Sequence, residues 1–213
     1  MLKQQKLILF DIDGTLIRSK KPVGHFTHGF KKVFGRDVEI DWKIFYGNID
    51  RKIIIDIGKQ IGIEESFVRL KLDEVYKAMH EYYAKKVTLQ NARDYYDFIS
   101  DAIKLVQQLA KKVHTGLLTG NYEGIGRYKM ELIGLDSELQ FGLFGHEAEN
   151  RIDLAKQTFK RARGFFGINF RPDQIVIIGD TPFDVLCAQS IKARSIAVAT
   201  GKFTLLELQK SNP

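Results

Sequence analysis

An internal disulfide is excluded at the outset, because the 213 residues include a single cysteine, Cys187. That usage suits a reducing compartment, and a cytoplasmic location is expected. Cys187 itself reads as a small buried apolar residue and not as a reactive thiol. No stretch approaches the ~18 consecutive apolar residues of a membrane span. The first apolar run stops at Asp11, too short for a secretory signal. Internal repeats and low-complexity segments are also lacking. What remains, 44% hydrophobic and 28% charged residues, is enough to fill a globular core. The length suits one sizeable domain, or a core carrying a smaller insertion.

The formal charge is +7. Lysines and arginines come as scattered pairs (Lys20-Lys21, Lys31-Lys32, Lys85-Lys86, Lys111-Lys112) and one short run, KRAR at 160–163. A nucleic-acid binder gathers its cations on one element with aromatics between them, which is not the pattern here. No nucleic-acid or membrane partner is expected, whereas a general positive field favours an anionic substrate.

Five runs rich in aliphatic and β-branched residues recur along the chain: KLILF (6–10), VHTGLL (113–118), QFGLF (140–144), QIVIIG (174–179) and ARSIAVA (193–199). Near-continuous apolar runs of this length predict strands covered on both faces, as in a parallel sheet. Helical patterns over 101–111, 122–133, 151–166 and 182–190 separate them. The alternation predicts an α/β, doubly wound, Rossmann-like fold. Residues 18–97 break the rhythm, with helical periodicity and no convincing strand. Ile53, Ile57 and Ile61 repeat at helical spacing beside Ile54, and Phe67, Leu70, Val75, Met79 and Tyr82 form a second stripe. We therefore expect a smaller all-helical domain over 18–97, inserted into a core made of 1–17 and 98–213.

In an open parallel sheet, ligands bind beyond the carboxyl ends of the strands. The first strand there delivers Asp11 and Asp13, the second Thr119, Gly120 and Asn121, and the fourth Asp180 and Asp184; Arg151 opens the helix that follows the third. Two carboxylates ~4 Å apart repel by about 4 kcal/mol at an effective dielectric of ~20. Several such pairs would consume much of a domain's net stability of ~5–15 kcal/mol. A cation removes the conflict. Its available ligands are all oxygens, which favours Mg²⁺ over zinc or copper. Thr119, Gly120 and Asn121 precede a helix whose N-terminal N–H groups suit a phosphate, and Arg151 can add a charge-assisted contact. Capping of that helix by Thr119 or Asn121 is the alternative use of the same side chains.

With these residues in place, the chain resembles the haloacid dehalogenase-like hydrolase superfamily, and within it the phosphoglycolate phosphatase-like branch. DIDGT (11–15), LLTGN (117–121) and GDTPFD (179–184) match three of the four ordered motifs, and the helical insertion, with GNID (47–50), matches the cap domain of that branch. Arg151 stands where many relatives have lysine, with Lys156 as a more distant substitute. By the same comparison the chain stops short of a further C-terminal segment. The resemblance implies Asp11 as nucleophile, forming an aspartyl-phosphate, and Asp13 as proton donor and acceptor. It implies Mg²⁺ held by Asp11, the Asp13 backbone carbonyl and Asp180, with Asp184 supporting it through water or through a contact to one of its ligands, and Thr119 and Arg151 on the phosphoryl oxygens. The neighbours of Asp13 are expected to raise its pKa. Asp13 also separates phosphoryl transfer from halide displacement, which needs no proton.

The expected activity is hydrolysis of small phosphomonoesters (phosphoglycolate-like, sugar or nucleotide monophosphates) by a monomer or weak homodimer. A phosphosugar mutase resembling β-phosphoglucomutase and a non-catalytic phospho-ligand binder are the alternatives. Arg51 is a candidate cap contact to a second anionic group of the substrate, or else a solvent-facing helix residue. Lys20 and Lys21 lie near the expected hinge. His25 and His28, without a third ligand, read as ordinary polar residues. Tyr82-Tyr83 and Tyr95-Tyr96 read as packing between cap and linker.

Overall fold

The computed structural model describes residues 3–213. Its centre is a parallel sheet of β1 (Gln4–Phe10), β4 (Val113–Leu118), β5 (Phe141–Leu143), β6 (Ile175–Gly179) and β7 (Arg194–Ala197), in the order β5-β4-β1-β6-β7. The three central strands arise from the apolar runs, and Leu7, Leu9, Leu117, Ile175 and Ile177 are fully buried, whereas β7, expected to be covered on both faces, is an exposed edge strand. Phe10 is registered with Leu117 on one side and Ile178 on the other. The residues just beyond the three central strands therefore share one edge of the sheet.

Helices α6 (Ser100–Ala110), α7 (Glu123–Ile133), α8 (Arg151–Lys156), α9 (Thr158–Phe166), α10 (Pro182–Ser190) and α11 (Leu205–Gln209) belong to this half of the chain. The single helix expected over 151–166 is two, divided at Gln157. Helix α10 starts where the sequence dictates: Pro182 at its first turn, and Thr181 and Asp184 in a reciprocal capping box.

The insertion is helical, with α1 (His25–Phe34), α2 (Asp50–Gln60), α3 (Glu65–Leu70), α4 (Leu72–Lys86) and α5 (Ala92–Tyr95). It is not wholly so. Short strands β2 (Ile17–Ser19) and β3 (Tyr96–Phe98) pair antiparallel and join its two ends. Of the two stripes read from the sequence, Ile53, Ile54, Ile57, Val75 and Met79 are buried together. Leu70 is instead 76% exposed, and Phe67 lies at the surface with its ring edge-on to Phe34. Tyr83 and Tyr96 share a buried hydroxyl–hydroxyl hydrogen bond, so these tyrosines do pack α4 against β3.

Three backbone segments meet beside the sheet edge. The Asp50 N–H donates to the Gly120 carbonyl at 2.8 Å, and the Gly145 N–H to the Asn121 carbonyl at 2.8 Å. A methyl group on Gly145 would fall on the Gly120 carbonyl oxygen. Backbone cannot rotate away as a side chain can, so Gly145→Ala is expected to destabilise by about 1–3 kcal/mol in denaturant unfolding.

Candidate active site

Gly14 ends the first strand's turn with φ +87°, a conformation that glycine alone adopts without strain. A side chain on Gly14 or on Gly201 would overlap the Asp180 carboxylate, so both glycines form a cradle around it. Thr15 Oγ1 donates to Asp180 Oδ1 at 3.2 Å. One carboxylate oxygen from each of Asp11, Asp180 and Asp184 lies within 4.8 Å of the others, and all three residues are buried.

A single guanidinium serves this group. Arg151 Nη2 stands 2.5 Å from Asp184 Oδ1 and 3.4 Å from Asp11 Oδ2. The other oxygen of Asp184 accepts from the Thr181 N–H at 3.0 Å and from its hydroxyl at 2.7 Å. Asp184 is thus an anchor for Arg151 as much as a potential ligand. Lys156, the substitute considered for Arg151, pairs with Asp153 at the surface. Burial raises the pKa of Asp180 to about 8, reinforced by Asp11 and Asp184. It raises Asp11 to about 6 against the opposing charge of Arg151. Cys187 is buried, as expected, with Sγ against the Arg151 carbonyl.

Asp13 belongs to a second charge group. Lys129, on α7, places Nζ 2.8 Å from Asp13 Oδ1, 2.7 Å from Oδ2 and 2.7 Å from Asn121 Oδ1. The expectation of a raised Asp13 pKa is corrected here. Burial does push it upward, but the charge and hydrogen bonds of Lys129, with help from Asn121, outweigh burial and lower it. Sequence reasoning missed Lys129, although it lies four residues after Ile125 on the face that α7 buries, which was a usable signal.

The anion site expected at Thr119–Asn121 also differs. The Asn121 amide donates to Asp13 Oδ2 at 2.8 Å and to Thr119 Oγ1 at 2.9 Å, so its side chain is committed within the protein. Thr119 is fully buried. The N–H of Tyr122, the residue just before α7, donates to Asp50 Oδ2 at 2.7 Å. Asp50, a distant acid that the sequence did not single out, thus sits beside the start of the helix. Burial lifts Asp50 to about 7. Gly120 and Asn121 still border the cavity.

That cavity has a volume of about 830 Å³ and runs from Asp11, Asp13, Asp180 and Arg151 to Val38, Ile40, Trp42, Phe45 and Tyr46 of the insertion. Arg51 is absent from its walls. It pairs with Glu149 at 2.8 Å, and Arg69 takes the same carboxylate, so Arg51 ties the insertion to the loop before α8. Lys20 and Lys21 do line the cavity, though Lys20 Nζ donates to the Arg93 carbonyl at 2.9 Å and Lys21 sits 4.3 Å over the Tyr95 ring. His25 borders it too, with Nδ1 unpartnered and the pKa lowered by burial to about 3. His28 stacks on Tyr82.

The family model for haloacid dehalogenase-like hydrolases matches residues 8–198. The chain belongs to that family and is a hydrolase of its kind. Among curated proteins it is similar to PpaX of Clostridium perfringens, a provisionally assigned pyrophosphatase, with 22% identity over 98% of this chain and 90% of that protein. Among solved structures it is similar to a phosphoglycolate phosphatase, assigned by prediction, from Haemophilus somnus (TM-score 0.68, 20% identity, 99% of this chain and 92% of the other). It also matches a predicted phosphatase from Clostridium acetobutylicum (TM-score 0.67, 19% identity, 97% and 90%). Likeness at these identities establishes the fold. Among the described residues no helix is long and apolar enough to cross a membrane.

Hydrolases of this family typically use a metal ion, and the donor set fits one: buried carboxylate oxygens, too close together to ionise comfortably, in a cradle kept open by two glycines. Asp180 keeps a proton in the folded state between about pH 4 and its pKa of about 8, where the unfolded chain has released it. Stability of the metal-free protein should therefore fall as pH rises through that window. From pH 7.5 to 8.5, above the range in which His25 titrates in the unfolded chain, a fall in Tm is expected. Asp180→Asn should flatten it, and a divalent cation should raise Tm more at pH 8.5 than at 7.5, as differential scanning fluorimetry can measure.

Proposed function

We propose that the protein is a Mg²⁺-dependent phosphatase acting on phosphomonoesters through an aspartyl-phosphate on Asp11. One observation carries the reading: Asp11 and Asp13 after β1, Asp180 after β6 and Arg151 at the start of α8 line one cavity. Asp11, Asp180 and the backbone carbonyl of Asp13 are the groups that would hold the ion, with Asp184 behind them. When bound, Mg²⁺ supplies charge that balances the phosphoryl oxygens.

An oxygen of Asp11 attacks phosphorus in line, and the bond to the leaving oxygen breaks. Arg151 stands beside Asp11, close enough to hold a phosphoryl oxygen as the bond forms. Asp13 takes a proton from solvent water as the entering phosphate dianion raises its pKa, and passes it to the leaving oxygen. In the second half, ionised Asp13 takes a proton from water, which attacks the aspartyl-phosphate and frees Asp11 and inorganic phosphate. Residues 18–97 act as the cap domain over this site and exclude bulk water.

Cavity size supports a choice among substrates. About 830 Å³ lies at the upper end of the ~300–1,000 Å³ of small-molecule sites, far more than phosphoglycolate occupies. Its far wall is aromatic and aliphatic, with Trp42 and Phe45 edge-on to each other at 6.5 Å. A leaving group with a flat ring system, as in a nucleoside monophosphate, suits that wall better than glycolate or a sugar.

Phosphate release from 4-nitrophenyl phosphate should require Mg²⁺ and vanish in Asp11→Asn; activity surviving the substitution rejects Asp11 as nucleophile. Glucose 1-phosphate separates hydrolysis from rearrangement, since a rearranged sugar phosphate would identify a mutase. Across a phosphorylated-metabolite panel, kcat/KM should favour nucleoside monophosphates over 2-phosphoglycolate. Trp42→Ala should raise KM for the nucleotide by roughly 3–10-fold, the worth of one aromatic contact, and leave 2-phosphoglycolate unchanged.

A further inference from the structure

We infer that Lys129 is a positioning residue for proton transfer by Asp13, a role that rests on the phosphatase reading above. An ammonium group has three N–H donors, and here each has an acceptor: both oxygens of Asp13 and the Asn121 carbonyl oxygen, at 2.7–2.8 Å. Asn121 closes the arrangement by donating to Asp13 Oδ2. Two side chains thereby fix both the rotation and the direction of one carboxylate. The Lys129 side chain is only 6% exposed, whereas Asp13 is 43% exposed, so the clamp leaves part of the acid open to the cavity that Asp13, Asn121 and Lys129 all border.

The rest of the lysine's surroundings is fitted to it. Its ammonium lies 5.9 Å over the Tyr96 ring, and that ring is fixed in turn by the hydroxyl of Tyr83. A lysine buried only to stabilise the fold would be an expensive choice, since an apolar residue of similar volume commonly serves as well or better. Placement on Asp13 explains its presence. Arg151 holds the nucleophile's side of the site and touches no atom of Asp13 among the described contacts, so the two cations divide the two acids between them.

Leaving-group dependence distinguishes this role from a merely structural one. An alkyl leaving oxygen needs a proton as it departs and 4-nitrophenolate hardly does, so loss of an aligned Asp13 must weigh on the first. In Lys129→Met, kcat for a nucleoside monophosphate should fall by roughly 10²-fold or more, and that for 4-nitrophenyl phosphate by less than about 10-fold, with little change in KM. Lys129→Arg should recover part of the loss. A crystal structure of metal-free Lys129→Met should contain the wild-type fold with the Asp13 carboxylate rotated, a readout independent of turnover. Equal losses on both substrates, no loss on either, or an unmoved Asp13 carboxylate would each overturn the assignment. Wild-type protein that hydrolyses neither substrate would defeat the phosphatase reading instead, while the crystallographic result would still decide whether Lys129 orients Asp13.

Discussion

Buried negative charge is the constraint around which this molecule is organised. Asp11, Asp180 and Asp184 are gathered where the strands end, and each has lost nearly all contact with water. Arg151 is the cation placed among them. Three carboxylates against one guanidinium leave two negative charges unbalanced when all are ionised. That deficit matches a divalent cation in magnitude, and the high pKa values of Asp11 and Asp180 are the same deficit expressed as proton affinity. Burial supplies the driving force for binding. The cluster would be a liability in a protein that met no cation, and Gly14 and Gly201 leave room for the Asp180 carboxylate within it.

The helical insertion is joined to this edge by polar contacts as well as by packing. Asp50 donates its N–H to Gly120 and accepts the Tyr122 N–H, so the start of α2 is stitched to the start of α7. Tyr76 stacks on Tyr122 with centroids 4.5 Å apart, and Glu149 takes both Arg51 and Arg69. In this arrangement the insertion's own carboxylate sits at the residue preceding α7, beside the helix end that the sequence alone offered to a phosphate. An anion reaching that end of the site meets Gly120, Asn121 and Arg151, with Asp50 close to the same helix end.

The parallel sheet could be read from the sequence because burial on both faces leaves little room for polar residues. Asp11 and Asp180 could be read for the opposite reason: a carboxylate directly after such a run needs explaining. The hairpin was not legible, since IRS and YDF are three residues each and gain strand character only by pairing across the whole insertion. Leu70 misled because helical spacing marks a stripe without telling whether anything covers it. Arg51 misled because its partner lies nearly a hundred residues away. Lys129 and Asp50 are the instructive omissions. Charged residues on helices are solvated by default, and each appears ordinary until the tertiary structure brings it to Asp13 or to Tyr122.

Separation of charge into two groups has a consequence for how one site can run two kinds of chemistry. Asp11 and Asp13 are only two residues apart, and left to themselves they would compete for the same proton and the same cation. Arg151 comes from the helix after β5 and Lys129 from the helix after β4, so the two acids are approached from different elements. Lys129 lowers the proton affinity of Asp13, while burial keeps that of Asp11 raised against the pull of Arg151. Without a metal ion the proton therefore favours the nucleophile; a divalent cation at Asp11 would ionise it, and an entering phosphate dianion would raise the proton carrier. The difference is made by the surroundings, because the aspartates themselves are chemically identical and nearly adjacent in the chain.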